Sequence, residues 1–213
     1  MKSKMFLAVT LVFLAACSSQ PKFEFDITLK NNKYLINKEI VINEFKITKA
    51  PDKGIVYSDT FKIKGEHLSL KLPYDGPAII SVSIPKSENN FITLLAAEEG
   101  KVTLEIDGNS NQIGGTPLNE RWQEFRNASD SVSNLFKRLE QDGYLAEDST
   151  ITRSDLLRMN TDRILQFVKD NIDNQIGEYL FINDYNMMPM ERRLEMNLFV
   201  SDRIKEIMNL KLD

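Results

Sequence analysis

The sequence predicts an α+β fold, in which an antiparallel β-sandwich or barrel-like domain is followed by a small helical domain. Apolar and polar residues alternate with a period of two up to residue 116, which is the pattern of antiparallel strands. Clusters of Gly, Pro, Asn and Asp separate these segments and predict tight turns. Beyond residue 116, apolar residues recur at helical spacing. We therefore predict a β domain at residues 22–116 and a helical domain at residues 117–213.

The first predicted strand, FEFDITL, alternates most clearly. Its apolar residues share one face and are Phe23, Phe25, Ile27 and Leu29. The same period recurs in four further segments, EIVINEFKIT, FKIKG, LSLKL and KVTLEID. In the first of these, Glu44 shares a face with Ile40 and Ile42. Several short strands at this spacing are typical of a sandwich or a barrel.

The first predicted helix follows the segment GGTP. Its apolar residues have the spacing of one helical face and are Trp122, Phe125, Val132, Phe136 and Leu139. We expect Trp122 and Phe125 to pack this helix onto the sheet, and Gly143 to end it.

Three further helical segments are predicted. The second helix begins with Thr152 and Asp155 in the spacing of a capping box, and its stripe is formed by Leu157, Ile164, Val168 and Ile172. The segment IGEYLFIN is short, apolar and helical by position. Pro189 suits the first turn of a last helix over residues 189–209, whose apolar residues are Leu194, Leu198, Ile204 and Ile207.

The N-terminus has the layout of a secretory signal. Lys2 and Lys4 precede an uncharged, mostly apolar run at residues 5–16, which ends in small residues. This run is too short to span a bilayer, because a spanning helix needs about 20 apolar residues. We predict that residues 1–16 are a signal peptide.

Cys17 directly follows this run and is the only cysteine of the chain. The residues LAAC resemble the bacterial lipobox. The resemblance implies that a diacylglyceryl group joins the Cys17 sulfur, that the signal is cut before it, and that the new amine carries a fatty acid such as palmitate. Such lipidation anchors a protein stably, whereas a single acyl chain binds only marginally. Ser18 resembles the type sorted to the bacterial outer membrane, so we expect a lipidated tether at residues 17–21 and a chain that faces the periplasm.

The charge of the chain argues against a nucleic-acid partner. Removing residues 1–16 takes away two lysines and no acids, so the net charge falls from −4 to −6. Nucleic-acid binding requires concentrated positive charge. The partners we predict are the membrane, through the lipid anchor, and an envelope protein.

Residues that could carry catalysis or hold a metal are sparse. His67 is the only histidine and lies at a turn, so we interpret it as a surface or strand-end residue. The segment DGNSNQ begins like a calcium loop, but Gln112 and Leu118 stand where such a loop requires Gly and Glu. We therefore interpret Asp107 and its neighbours as a β-turn.

Two other clusters have ordinary structural interpretations. Thioethers bind copper(I), but Met187, Met188 and Met190 have no His or Cys near them in the sequence, and methionine is a routine packing residue. We interpret Glu98 and Glu99 as residues that flank a hairpin turn. They are poorly placed for joint acid–base catalysis, because adjacent strand residues point to opposite faces. We predict no catalytic residue, no cofactor and no metal, and we hypothesise that the chain is not an enzyme.

Two segments, LLAAEEGKVTLEIDG and IGGTPLNERWQEF, resemble the end of an N-terminal β domain in certain Gram-negative lipoproteins, the domain of unknown function 4369. In that family the pattern G-[ST]-x-x-N opens a helix, and Gly115, Thr116 and Asn119 occupy the matching positions. The segment DNIDNQIGEYLF is similar to part of the following helical region, with Gly177 and Leu180 aligned and a proline missing. Relatives commonly continue into a thioredoxin-like domain with a C-x-x-C dithiol. This sequence has no C-x-x-C, so the resemblance does not imply thiol–disulfide exchange, which requires a thiolate.

These observations lead to two hypotheses about function. The leading one is a non-enzymatic, lipid-anchored module that binds an envelope protein or another envelope component. The alternative is an accessory module that works in trans with a separate thioredoxin-like thiol–disulfide oxidoreductase. An enzyme with dispersed carboxylates is a third hypothesis, for which the sequence offers no support.

Overall fold

The computed structural model describes residues 23–48, 54–85, 87, 91–108, 110–142 and 152–210. The predicted signal peptide, Cys17, the tether at residues 17–21 and Gly143 lie outside the described residues.

Within the described residues, eight strands form two four-stranded sheets packed as a β-sandwich. The strands are β1 (Phe23–Lys30), β2 (Glu39–Phe45), β3 (Ile55–Lys62), β4 (His67–Leu72), β5 (Ala78–Ile84), β6 (Phe91–Ala97), β7 (Gly100–Asp107) and β8 (Ser110–Gly114). The first sheet has the order β4-β1-β7-β8 and the second the order β3-β2-β5-β6. A short 3-10 turn, Lys33–Leu35, follows β1. The helices come after the strands, so the predicted α+β class is confirmed.

One strand pair departs from the antiparallel pattern. Strands β1 and β7 run parallel, with Phe23 opposite Gly100 and Lys30 opposite Asp107, whereas every other pair of the two sheets is antiparallel. A tight hairpin enforces the antiparallel direction, but parallel neighbours need a long crossover connection. Here the strands of the second sheet, together with β4, lie between β1 and β7 in the chain and provide it.

The inner faces of the two sheets carry the core. The four apolar residues of β1 that were expected on one face are all buried, namely Phe23, Phe25, Ile27 and Leu29. Glu44 is also buried, on the same inner face of β2 as Ile40 and Ile42. The buried apolar residues form one continuous cluster that extends from the sheets to Trp122, Phe181 and Ile204 of the helical part.

In the part of the chain that the structure describes, five helices follow the sandwich. They are α1 (Pro117–Gln141), α2 (Arg153–Asn171), α3 (Gln175–Asp184), α4 (Met190–Asn197) and α5 (Asp202–Met208), with a 3-10 turn at Tyr185–Met187 before α4. The predicted capping box of α2 is confirmed, because Thr152 Oγ1 accepts from Asp155 N at 3.1 Å and Thr152 N donates to Asp155 Oδ2 at 3.1 Å.

The single last helix predicted over residues 189–209 is wrong. Helix α4 ends at Asn197, and Ser201 caps a separate helix by accepting a hydrogen bond from Ile204 N at 3.4 Å. The break turns the chain, so that Met196, Val200 and Ile204 enter the core. Leu194 and Leu198, which were expected in the apolar face of this helix, are exposed instead.

The predicted stripes of α1 and α2 are partly wrong. In α2, Leu156 is buried and Leu157 is exposed, so the stripe begins one residue earlier than expected. In α1, the buried side chains lie between Leu118 and Gln123. Val132, Phe136 and Leu139 are only half-buried, because the second half of this helix extends beyond the sheets.

Candidate functional site

The residues that the sequence singled out do not meet at one place. His67 is the exposed first residue of β4, as expected, and its Nδ1 lies 3.2 Å from Thr28 Oγ1. Asp107 ends β7 and accepts from Asn31 Nδ2 at 2.9 Å, which fits the turn interpretation. Within the described ranges, no group of three or more His, Cys, Asp or Glu residues is placed to hold a metal ion.

The methionine cluster is divided between core and surface. Met188 is buried, whereas Met187 and Met190 are among the most exposed apolar residues. The packing interpretation therefore holds for Met188 only.

Glu98 has a structural role that the sequence did not reveal. It lies in the connection between β6 and β7, but the predicted hairpin is wrong, because β6 belongs to the second sheet and β7 to the first, so this connection crosses from one sheet to the other. Its Oε2 accepts a hydrogen bond from Leu118 N at 3.1 Å, at the first turn of α1. A carboxylate is favourable there, because the N-terminal turn of a helix presents unpaired N–H groups and a partial positive charge.

The first half of α1 hydrogen-bonds to β6, an edge strand of the second sheet. Asn119 is fully buried; its Oδ1 accepts from Ala96 N at 2.9 Å and its Nδ2 donates to Ala96 O at 3.0 Å. One turn further on, Trp122 Nε1 donates to Leu94 O at 3.0 Å. These bonds pair backbone groups that an edge strand would otherwise leave open.

The same helix also hydrogen-bonds to β8, the edge strand of the first sheet. Gln123 Oε1 accepts from Ile113 N at 2.7 Å, and Gln123 Nε2 donates to Asn127 Oδ1 at 2.8 Å. Helix α1 thus joins the two sheets along one side of the sandwich.

The three residues matched by the family pattern shape the entry into α1. Gly115 has φ +87°, and a Cβ atom there would lie 2.2 Å from Lys101 O, so glycine is required. Thr116 Oγ1 accepts from Asn119 Nδ2 at 2.8 Å. In this chain Gly115, Thr116 and Asn119 therefore fix the turn that leads into α1.

Gly177 has a comparable role at the start of α3. A Cβ atom at this position would lie 2.0 Å from Asn171 O, which only glycine avoids. Asn174 caps the helix by accepting from Gly177 N at 3.1 Å, and Gln175 Nε2 donates to Ala97 O at 2.9 Å. Helix α3 is thereby held at the end of the sandwich where β6 finishes.

A cleft of about 450 Å³ opens at this end, and we call it the junction cleft. Its walls come from four parts of the chain: residues 45–48 after β2, residues 77–79 at the start of β5, residues 173–178 at the start of α3, and Arg203 of α5. Its apolar lining residues, which we call the floor, are Phe45, Ile47, Pro77, Ala78 and Ile79. The ring of Phe45 packs edge-on against Tyr179 with centroids 6.2 Å apart. Burial raises the pKa of the Tyr179 hydroxyl.

The rim of the junction cleft carries charges of both signs. Lys46 Nζ donates to Asp75 O at 2.9 Å and lies 3.4 Å from Asp75 Oδ2. Arg203 forms an ion pair with Glu178, and its Nη1 donates to Ile47 O at 3.4 Å. An apolar floor with a few charged groups at the rim is typical of ligand and peptide sites.

A second feature is an exposed apolar surface on α4, which we call the α4 stripe. It consists of Met187, Met190, Leu194 and Leu198, whose exposed fractions are 77%, 69%, 59% and 81%. Of these four residues, Met187 lines a groove of about 540 Å³ between α2 and α4, together with Leu157, the basic residues Arg158 and Arg192, and the acidic residues Asp162, Glu191 and Glu195. An exposed apolar surface of this kind usually marks a contact with a partner or a membrane.

The junction cleft was not predicted, because its walls are four separate segments with no motif in any of them. The α4 stripe could have been noticed from the i, i+4 spacing of Met190, Leu194 and Leu198, but the same spacing is typical of a core face. For the residues that the structure describes, no helix combines the length and apolarity needed to cross a membrane.

No protein-family model and no curated protein matches this chain, so comparison with known proteins adds no functional information.

Proposed function

We propose that this chain is a non-enzymatic binding module, anchored by lipid on Cys17 to the bacterial outer membrane and facing the periplasm. Its partner is an envelope protein, which places an apolar side chain in the junction cleft. The observation that carries this proposal is the cleft itself, which is lined by apolar side chains together with the charged residues Lys46, Arg203 and Glu178.

The size and construction of the cleft support this role. Its volume of about 450 Å³ lies within the range of small-ligand and side-chain pockets. Ile47 and Phe45 continue from a strand of the sandwich, and residues 173–178 begin a helix that is capped and hydrogen-bonded to β6. A site built on regular elements keeps its shape before the partner arrives, which lowers the entropic cost of binding.

Membership of the family with the domain of unknown function 4369 belongs to the same proposal. It is supported by the structural need for glycine at positions 115 and 177 and by the hydrogen bonds of Thr116 and Asn119. The resemblance also motivates a second candidate function, that of an accessory to a separate thioredoxin-like oxidoreductase that brings its own cysteines.

Two measurements in the native envelope test the proposal. For the anchor, labelled palmitate should enter the wild-type chain and not the Cys17→Ala variant. For the cleft, a photo-crosslinking amino acid at Thr48, which is exposed at the cleft, should give a product with an envelope protein. The same amino acid at Asn134, exposed on the far half of α1, serves as the control.

A matched pair of variants shows whether the crosslink depends on the cleft. Ile47→Asp places a charge in the cleft and should abolish the product. Ile92→Asp places the same charge at an exposed position of β6 outside the cleft and should leave the product intact. Equal palmitate incorporation in the wild type and Cys17→Ala would contradict the anchor, and equal crosslinking at Thr48 and Asn134 would contradict the cleft. A captured partner with a C-x-x-C dithiol would favour the accessory role.

A further inference from the structure

We propose that β4, an edge strand of the first sheet, is a docking site for an extended segment of a partner protein in which apolar residues alternate with acidic ones. The segment adds a fifth strand to the first sheet, beside β4. The proposal goes beyond the junction cleft, and it depends neither on the cleft nor on the lipid anchor.

The sandwich has four sheet edges, and α1 covers two of them. The edges are β4 and β8 in the first sheet and β3 and β6 in the second. Side chains of α1 hydrogen-bond to the backbone of Leu94 and Ala96 in β6 and of Ile113 in β8. Because α1 joins β6 and β8 along one side of the sandwich, β3 and β4 both lie on the opposite side.

Strand β3 is protected against a further strand. Ile63 N donates to Lys38 O at 3.0 Å just after this strand, so alternate residues before it, Thr60 and Ser58, direct their N–H groups away from β2. Thr60 N donates instead to Asp59 Oδ1 at 2.7 Å. The pairing with β2 also shifts register near the start of β3. A charged side chain at the edge and a bulge are both features that keep another strand away.

Strand β4 has neither form of protection. Leu29 N donates to Glu66 O at 2.8 Å, and the register that follows is regular, so the N–H and C=O groups of His67, Ser69 and Lys71 point away from β1. No hydrogen bond from another described residue reaches these backbone groups. The strand contains neither proline nor glycine. Donors and acceptors that alternate along an edge are matched by another extended backbone.

The side chains of β4 indicate the composition of the added segment. On the inner face Leu68 is half-buried, as is Phe61 of β3 on the same side of the sandwich, so apolar side chains of an added strand would extend the core. On the outer face β4 presents His67, Ser69 and Lys71 and no acid. An acidic residue directly opposite Lys71 is therefore favourable.

The charges around Lys71 leave room for such a residue. Glu24 of β1 lies 3.7 Å from Lys71 Nζ, but the lysine side chain remains 71% exposed. The other acids next to β4 are already paired, Asp26 with Lys101 and Glu66 with Lys33. A second copy of β4 would bring only another histidine and another lysine to this face. Charge complementarity therefore favours an acidic segment of a different protein.

A peptide with the sequence of β1, FEFDITLK, is the probe, because it has the required alternation and its parent strand already pairs with β4. The peptide is added to the purified, isotope-labelled chain, and amide hydrogen exchange is followed residue by residue by NMR. We expect the amides of His67, Ser69 and Lys71 to exchange more slowly when the peptide is present. The amide of Ser58, at the edge of β3, should not change.

A matched pair of proline variants locates the binding edge. Ser69→Pro removes an outward N–H group and no hydrogen bond to β1, and edge strands tolerate proline at such positions. It should weaken binding of the peptide by about tenfold or more, because the ring removes one bond and obstructs the added strand. Ser58→Pro makes the same change at the edge of β3 and should leave binding unchanged. Equal binding by Ser69→Pro and the wild type would overturn the proposal, because the peptide would then replace β1 or bind elsewhere.

Lys71→Glu tests the charge at an exposed position, where the fold is not at risk. It should weaken binding of FEFDITLK severalfold. A peptide with lysine in place of both acids should bind this variant better than it binds the wild type. No response of the three β4 amides to the peptide would overturn the proposal. Protection of these amides before any peptide is added would also overturn it, because β4 would already be covered by a second copy or by another segment of the chain.

Discussion

The first half of α1 buries polar side chains, whereas α4 exposes apolar ones. In α1, Asn119 and Gln123 are buried. In α4, Met190 and Leu194 are exposed, and of its apolar side chains only Met196 is buried. Both helices follow directly after a loop and begin at or next to a proline, so local sequence at the start of the helix does not explain the difference.

The difference comes from what each helix faces. Helix α1 lies along the edges of β6 and β8, whose backbone N–H and C=O groups need partners, and amide side chains supply them. The outer side of α4 faces solvent among the described residues, which offer Leu194 and Leu198 no surface to pack against. The hydrogen-bonding needs of the neighbour, and not polarity alone, therefore decide which residue belongs in a core.

The largest effect is expected from Trp122→Ala in α1. This side chain is 8% exposed, stacks on Phe125 and bonds to Leu94 O, so its loss should lower the free energy of unfolding by about 3–5 kcal/mol. Phe125→Ala should cost less, because Phe125 is only half-buried. Urea unfolding of both variants measures the two losses. An equal or smaller loss for Trp122→Ala would mean that the helix does not depend on this contact.

Asn119→Ala tests whether the buried amide is needed in α1. The substitution leaves Ala96 N and Ala96 O without their partner, and each unpaired buried group is costly, so we expect a loss of about 3 kcal/mol in urea unfolding. Asn134→Ala, exposed on the same helix, should change stability by less than about 0.5 kcal/mol. Similar values for the two variants would show that the edge of β6 does not need the amide of Asn119.

Glu44→Gln tests the converse of Asn119, a buried polar side chain that has no hydrogen bond to any described residue. Burial raises its pKa above 4.5, so the folded chain holds the proton more tightly than the unfolded chain. As pH rises past 4.5 and through the raised pKa, wild-type stability therefore falls, and it stays lower above that pH. Glu44→Gln should be more stable than the wild type at neutral pH, by less than either loss above, and the gap should close in acid. A constant gap across pH unfolding series would show that Glu44 does not titrate in this way.

The smallest effect is expected from Leu198→Ser in α4. Leu198 is 81% exposed, so the change in the free energy of unfolding should stay within about 0.5 kcal/mol. Met196→Ala, two residues earlier and fully buried, should cost about 2–5 kcal/mol. If Leu198→Ser destabilises the isolated chain as strongly as Met196→Ala, the α4 stripe is part of the core, and its role as a contact surface fails.

Local patterns predicted the structure correctly where the feature depends on a single strand or helix. The alternation of Phe23, Phe25, Ile27 and Leu29 follows from strand geometry alone, and the capping box at Thr152 and Asp155 needs only four residues. The prediction of the last helix was wrong, because Ser201 can cap a new helix and the spacing of Leu194 and Leu198 is the same for an inner and an outer face. Among the candidate site residues, His67 was placed correctly, whereas the junction cleft carried no local signal.

By itself, the sequence determined that strands precede helices, which faces of the clearly alternating strands point inward, and that the change lies near residue 116, because these features depend on contacts between near neighbours. Only the tertiary structure decided the parallel pairing of β1 with β7, the burial of Asn119 and Gln123, and the assembly of the junction cleft. Each of these needs segments far apart in the chain to meet. The free energy that favours such a contact comes from packing two surfaces against each other, so neither segment shows it alone.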